Sequence, residues 1–272
     1  MTNYCIVTYA KKGREDYIKA MWRMIGSALD RNNPNVDVLY CVDYCGEQEE
    51  NVVEAIHREY GIFKDEWIHR LIRVPSSEVP DHIEIPYGFK PALINKAIEY
   101  GYQNVLWCDS TIYFHKNTWE TSLWSIIEIS GIVSTENLGY PLMNWITSEA
   151  MDVLGVPEEK RLSEDVKQIT ACWIGFSFNN KTALSTFYDW FVYGSVKKQD
   201  GGIFSDHQSE ELSELPRLPF KSHRHDQAVL SWLMYERGFP VLPYGSIFCY
   251  YDVKNQYDTS DNIIFTNRGI YQ

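Results

Sequence analysis

The chain has 272 residues, 44% of them apolar, 15% aromatic and 23% charged, which suffices for a self-supporting core and lies outside the composition of disordered chains. Its net charge is −12 with no run of Lys or Arg, so nucleic acid is not an expected partner, because the surface as a whole repels polyanions.

In chain order, YCIVTY (4–9) predicts a strand, and residues 14–30 follow with Ile18, Met21, Trp22, Ile25, Ala28 and Leu29 at helical spacing. The apolar part of this opening is too short for a secretion signal or a membrane span, so no transmembrane segment is expected. VDVLYCVD (36–43) predicts a second strand, 47–60 a helix stopped by Gly61, and WIHRLIRV (67–74) a third strand. Pro91 is placed as the first residue of a helix carrying Leu93, Ile94, Ala97 and Ile98 on one face. Asn104 to Cys108 reads as a fourth strand, apolar throughout and therefore buried on both faces.

The second half is less regular. SGIVST (130–135) predicts a strand, 147–154 a short helix, and 169–179 a long strand in which Gly175 marks a bulge or a close ligand approach. Residues 182–194 and 225–236 predict helices, and the polar, Gly- and Pro-punctuated stretch 198–220 a lid. The six cysteines form no CxxC pair, and several lie in apolar runs, which predicts reduced thiols and a cytoplasmic chain.

Strands alternating with helices predict one α/β domain with a mostly parallel sheet, whose ligands bind beyond the carboxyl ends of the strands. Asp43 and Asp109 fall at such ends, as do Thr8 and Tyr9. Asp109, in VLWCDSTIYF, needs a cation, a metal or hydrogen-bond donors if it is to end a buried strand; otherwise it caps a turn with Ser110 and Thr111. Far along the chain, HRHDQAVLSWL (223–233) gathers His223, Arg224, His225 and Asp226 at a helix start. Asp226 alone is explained as a helix-terminal charge, but cations in that place call for a nearby anion such as a phosphate.

YGFKPALINKAIEYGYQNVLWCDSTIYF, ACWIGFSF and HRHDQAVLSWL, in that order over roughly residues 86–235, together resemble the nucleotide-sugar-dependent glycosyltransferases of the GT-A fold, nearest to a group with a WKP…WlDss core and a late HR-DQ element. The resemblance implies a Rossmann-like sheet flanked by helices, residues 1–115 holding the nucleotide and 116–272 the acceptor. It implies transfer of a hexosyl or pentosyl group from a nucleoside diphosphate sugar, with UDP the expected nucleotide, to a carbohydrate or glycoconjugate. It also implies Mn²⁺ or Mg²⁺ on a D-x-D motif, of which Asp109 is the first member while Thr111 stands where a second carboxylate is usual. Either His223 or His225 completes that metal sphere, or no metal is used and Lys90, Arg224 and the histidines neutralise the diphosphate directly. Thr8, Tyr9, Ala10 and Asp43 are expected at the base and ribose. Trp173 and Gly175 are expected at the acceptor, although Trp173 reads equally well as a core residue. Asp226 is the candidate base or sugar-orienting carboxylate. A non-catalytic sugar- or nucleotide-binding relative is the competing reading, kept open by the missing carboxylate. A nucleotidyltransferase is disfavoured because AKKGRED is no glycine-rich phosphate loop.

Overall fold

The computed structural model of the chain describes residues 3–13, 15–32, 35–118, 120–204, 222–251 and 263–267. The strands are β1 (Tyr4–Lys11), β2 (Val36–Asp43), β3 (Leu71–Arg73), β4 (Asn104–Cys108), β5 (Ile112–Phe114), β6 (Ile132–Pro141), β7 (Lys167–Ile169), β8 (Trp173–Ser177), β9 (Val241–Leu242), β10 (Phe248–Tyr251) and β11 (Ile264–Asn267). The helices are α1 (Glu15–Arg31), α2 (Val52–Tyr60), α3 (Phe89–Glu99), α4 (Leu123–Ser130), α5 (Ser148–Val153), α6 (Lys181–Tyr193) and α7 (His225–Glu236).

The central sheet runs in the order β3-β2-β1-β4-β8-β6-β7, with β9 pairing β6. Its first four strands are parallel, and β4, β8, β6 and β7 then pair antiparallel. The parallel strands are apolar on both faces, so each face needs a helical cover. One face carries Val7, Leu39, Val105 and Trp107 against α3, α6 and α7. The other carries Ile6, Val38, Leu106 and Cys108 against α1, α2 and α4. The result is a mostly parallel sheet flanked by helices, with Asp43 and Asp109 at the carboxyl edge that β1, β2 and β4 share.

Four local expectations change. Residues 67–70 belong to a 3₁₀ turn, Asp65–Arg70, and only Leu71–Arg73 is strand. Arg70 anchors the turn: its buried guanidinium donates to the carbonyl of Val36 at the start of β2 (2.8 Å) and to those of Leu29 (3.3 Å) and Asn32 (3.4 Å) at the end of α1, where the last helical carbonyls lack helical partners. Pro91 is the third residue of α3, still within the first turn, where a missing N–H breaks no helical bond. The long run 169–179 is two strands, β7 and β8, broken at Thr170 to Cys172. In that break Thr170 N–H donates to Thr135 O (2.7 Å), and Asp109 N–H donates to Cys172 O (2.7 Å). A second sheet of β10, β11 and β5, which the sequence pattern did not suggest, covers the outer side of α1. Of the expected lid, residues 205–220 lie outside the described residues.

Gly175 is not a ligand contact. It pairs with Leu106 on β4 and Val133 on β6, and a Cβ there would meet Ile127 Cγ1 of α4 at 2.5 Å. Gly175 thus lets α4 lie directly on the sheet. Gly175→Ala is expected to lower the unfolding free energy by about 1–3 kcal/mol through overpacking, read from urea titration; an unchanged midpoint would place the helix elsewhere.

Candidate active site

The start of α3 is set at the carboxyl edge by a tight approach. Gly88 has no room for a side chain, because a Cβ would lie 2.6 Å from Ile85 Cγ2 and 2.7 Å from the Gly194 carbonyl at the end of α6. Lys90, in the first turn of α3, is therefore driven inward and is only 3% exposed. Its Nζ donates to Ala171 O (3.0 Å), in the break between β7 and β8, and lies 3.1 Å from Asp226 Oδ2 and 3.4 Å from Asp109 Oδ1. The rings of Trp107 and Tyr87 flank the ammonium at 5.6 and 5.3 Å, a favourable placement for a desolvated cation.

The two carboxylates differ in access. Asp226, the second residue of α7, is 2% exposed, whereas the Asp109 side chain is 34% exposed. Asp109 Oδ1 also accepts from Trp107 Nε1 (2.9 Å), and the Asp109 backbone closes the turn into β5 through Ile112 N–H to Asp109 O (2.9 Å). Burial pushes the Asp226 carboxyl above its usual range, and Lys90 opposes that push. For Lys90, burial favours losing the proton, but the charges of Asp109 and Asp226 overcome it and hold the ammonium above the ordinary lysine value.

The remaining expected residues are dispersed along this edge. His223 is buried; its Nδ1 accepts from Thr147 N–H (3.4 Å), which leaves Nε2 to donate to Ile203 O (2.8 Å). His225 places Nδ1 2.8 Å from Phe204 O and its ring 5.0 Å from that of Tyr87. Arg224 is exposed, and its guanidinium stacks 4.5 Å from the ring of Trp145. Thr111 is partly exposed in the turn after β4. The metal set of Asp109, Thr111, His223 and His225 is therefore not assembled. Among the described residues no three His, Cys, Asp or Glu side chains converge for a metal. The physical reason is that both His223 nitrogens and Nδ1 of His225 face backbone groups, while a protein ammonium stands between the carboxylates.

Thr8 and Ala10 are buried on the face covered by α1 and α2, so they offer no surface to a base. Tyr9, on the opposite face, is half-buried and stacks on Phe89 (4.2 Å between centroids). Asp43 lies 3.4 Å from Lys11 Nζ, which also reaches Asp81 (3.6 Å), and accepts from Cys45 N–H (2.9 Å). Trp173 is fully buried, with Nε1 on Thr135 Oγ1 (3.2 Å), so its core reading holds and it offers no ring face to a sugar. Asp226 is enclosed and faces Lys90, so its carboxylate is not reachable from solvent as a base would have to be.

The sequence pattern did not single out Tyr87, Phe89, His82, Trp107 or the Ala171 carbonyl. Tyr87 and His225 both hold left-handed backbone (φ 60° and 43°), a conformation that side chains with a Cβ rarely keep unless their surroundings enforce it, and one that gathers at functional sites. The nearest legible signal was YGFKP itself, a turn placing aromatics on both sides of one lysine.

Lys90→Met would leave two carboxylates around a vacated centre and is expected to reduce stability by about 3–5 kcal/mol. Asp226→Asn keeps Lys90 paired with Asp109, where water screens part of the interaction, and should reduce it less. Urea titration of both variants checks the order; a larger loss in Asp226→Asn would contradict it.

No protein-family model and no curated protein sequence matches the chain. Solved structures do. The apo structure of the bifunctional glycosyltransferase WbbM matches 98% of this chain at 12% identity with a TM-score of 0.54, and this chain spans about half of it (46%). Mouse xyloside xylosyltransferase 1, also apo, matches 99% of each chain at 11% identity with a TM-score of 0.53. The chain therefore has the GT-A fold of these glycosyltransferases: a mostly parallel central sheet flanked by helices, and in this chain Lys90 and Asp226, from the first turns of α3 and α7, meet Asp109 at the end of β4.

Proposed function

We propose that the chain is a glycosyltransferase that moves a hexosyl or pentosyl group from a nucleoside diphosphate sugar, UDP-linked in the first instance, to a hydroxyl of a carbohydrate or glycoconjugate. The observation that carries this reading is the cluster of Lys90, Asp109 and Asp226 at the carboxyl edge of the parallel strands, where ligands of such sheets bind, in a fold shared with solved glycosyltransferases.

In this reading Asp109 is the member that meets the donor. Its carboxylate is reachable from solvent, and Trp107 and Lys90 fix one of its oxygens. A carboxylate so oriented accepts hydrogen bonds from sugar hydroxyls and holds the anomeric carbon in one place. Lys90 and Asp226 keep it there and do not touch substrate. Tyr9, Tyr87 and His225, partly exposed and backed by buried Phe89, provide aromatic surface at this edge, suited to a base or a sugar face. Arg224, exposed and braced on Trp145, supplies positive charge for the departing diphosphate. Transfer breaks the bond between the anomeric carbon and the phosphate oxygen and forms one to the acceptor oxygen, whose proton is released. Buried free thiols at Cys5, Cys41 and Cys108 suit a reducing, cytoplasmic setting, and no helix among the described residues is long and apolar enough to cross a membrane.

A binding protein without transferase activity is the second reading, favoured by the enclosure of Asp226, which removes the nearest candidate base. A panel of nucleotide sugars, assayed for binding and for hydrolysis or transfer, separates the two. The transferase reading predicts turnover of at least one donor, reduced about 10- to 100-fold in Asp109→Asn through loss of charged hydrogen bonds, with the fold retained by circular dichroism. Binding without turnover would favour the second reading, and neither binding nor turnover would remove both.

A further inference from the structure

Three oxygens converge on one point at the strand edge: Ala171 O at 3.0 Å, Asp226 Oδ2 at 3.1 Å and Asp109 Oδ1 at 3.4 Å. Two carboxylates and a carbonyl are the hard oxygen ligands that Mg²⁺ and Mn²⁺ take. The point is filled by Lys90 Nζ, whose three N–H donors match the three oxygens in number. The ammonium is enclosed by Trp107 and Tyr87 and almost without contact with water, and it enters from a helix start that Gly88 locks against Ile85 and Gly194. A divalent ion and this ammonium exclude each other. The imidazoles that could have built a second centre face elsewhere, with His223 bonded at both nitrogens and His225 turned to Phe204 O.

We infer that Lys90 is the resident cation of this acidic site, replacing a divalent ion between Asp109 and Asp226, and that its removal uncovers a latent divalent-ion site. As a statement about donor binding this rests on the transfer reading; as a statement about ions it does not.

The consequence is specific to one side chain. With Lys90 in place the chain holds one buried positive charge against two carboxylates and needs no ion from solution to keep them together. With methionine there, of similar length and uncharged, the carboxylates repel each other, and they are neutralised by a proton taken up on buried Asp226 or, when it is supplied, by a divalent ion bound between them.

Mn²⁺ alone, without nucleotide, is the probe. Titrations followed by the electron paramagnetic resonance of free Mn²⁺, with thermal midpoints recorded in parallel, compare the wild-type chain with Lys90→Met, Lys90→Arg and the double variant Lys90→Met/Asp226→Asn. The inference predicts no stoichiometric binding and no change of midpoint in the wild type or Lys90→Arg. It predicts one Mn²⁺ per chain and a raised midpoint in Lys90→Met, both lost in the double variant. If Lys90→Met folds only when Mn²⁺ is added, that also supports the inference. Stoichiometric binding by the wild type that disappears in Asp109→Asn would overturn it, as would a folded Lys90→Met that binds none. Should Lys90→Met fail to fold under either condition, the wild type decides: silence supports the inference, and Asp109-dependent binding refutes it. Because no sugar nucleotide enters the experiment, a failure here is distinguishable from a failure of the transferase reading.

Discussion

An ammonium group held out of water between two carboxylates is the interaction on which the arrangement of this strand edge depends. Burying Lys90 is unfavourable by itself, and burying Asp226 beside it is equally so. The two are retained together because the carboxylates of Asp226 and Asp109 lie 3.1 and 3.4 Å from the Lys90 ammonium and the Ala171 carbonyl accepts a hydrogen bond from it. The interaction ties together the first turn of α3, the end of β4, the break between β7 and β8, and the first turn of α7. Four segments far apart in sequence are thereby fixed to one point. Of that assembly, Asp109 is the member that faces solvent.

The surroundings are built to protect the same point. Trp107 both donates to Asp109 and covers Lys90. Tyr87 covers the ammonium from the other side and touches the His225 ring, and both residues hold backbone conformations that cost stability when nothing compensates. Trp190 Nε1 donates to the Asp226 carbonyl (3.1 Å), anchoring the start of α7 to α6. The edge is thus packed beneath and aromatic above, with polar access at Asp109, the combination of aromatic lining and few placed polar groups that ligand sites show.

Much of this fold was legible in the sequence for a simple reason. Strands buried on both faces read as continuous apolar runs, so β1, β2 and β4 stand out, and amphipathic spacing picks out α1, whereas α7 is buried on nearly every side and reads as a helix by its apolar length. Arg70 shows where such reading stops: WIHRLIRV has a strand-like composition, but its first half is a 3₁₀ segment whose Arg70 guanidinium reaches the carbonyls at the end of α1 and the start of β2. The site was legible in its members and not in their roles. Asp109 could be nominated from its strand-end position, and Lys90 and Asp226 from their places at helix starts together with the family resemblance. That Lys90 enters between the two carboxylates depends on Gly88 and on the break at Ala171, and no local pattern encodes a contact across 136 residues of chain. Trp173 and Gly175 failed as acceptor residues because ACWIGF carries no mark of which face α4 covers.

The most direct test of this account is the titration of the Lys90 side chain, followed by nitrogen NMR of the lysine Nζ and assigned with Lys90→Arg. A lysine paired with two carboxylates contributes its stabilisation fully below the ordinary lysine pKa and loses it only as pH rises through the higher folded value. The account predicts a slowly exchanging, fully protonated Nζ at neutral pH, a midpoint above that of an exposed lysine, and a downward shift of that midpoint in Asp226→Asn. A midpoint below the ordinary value, or one indifferent to Asp226, would mean that burial and not pairing governs Lys90, and the central interaction described here would be absent.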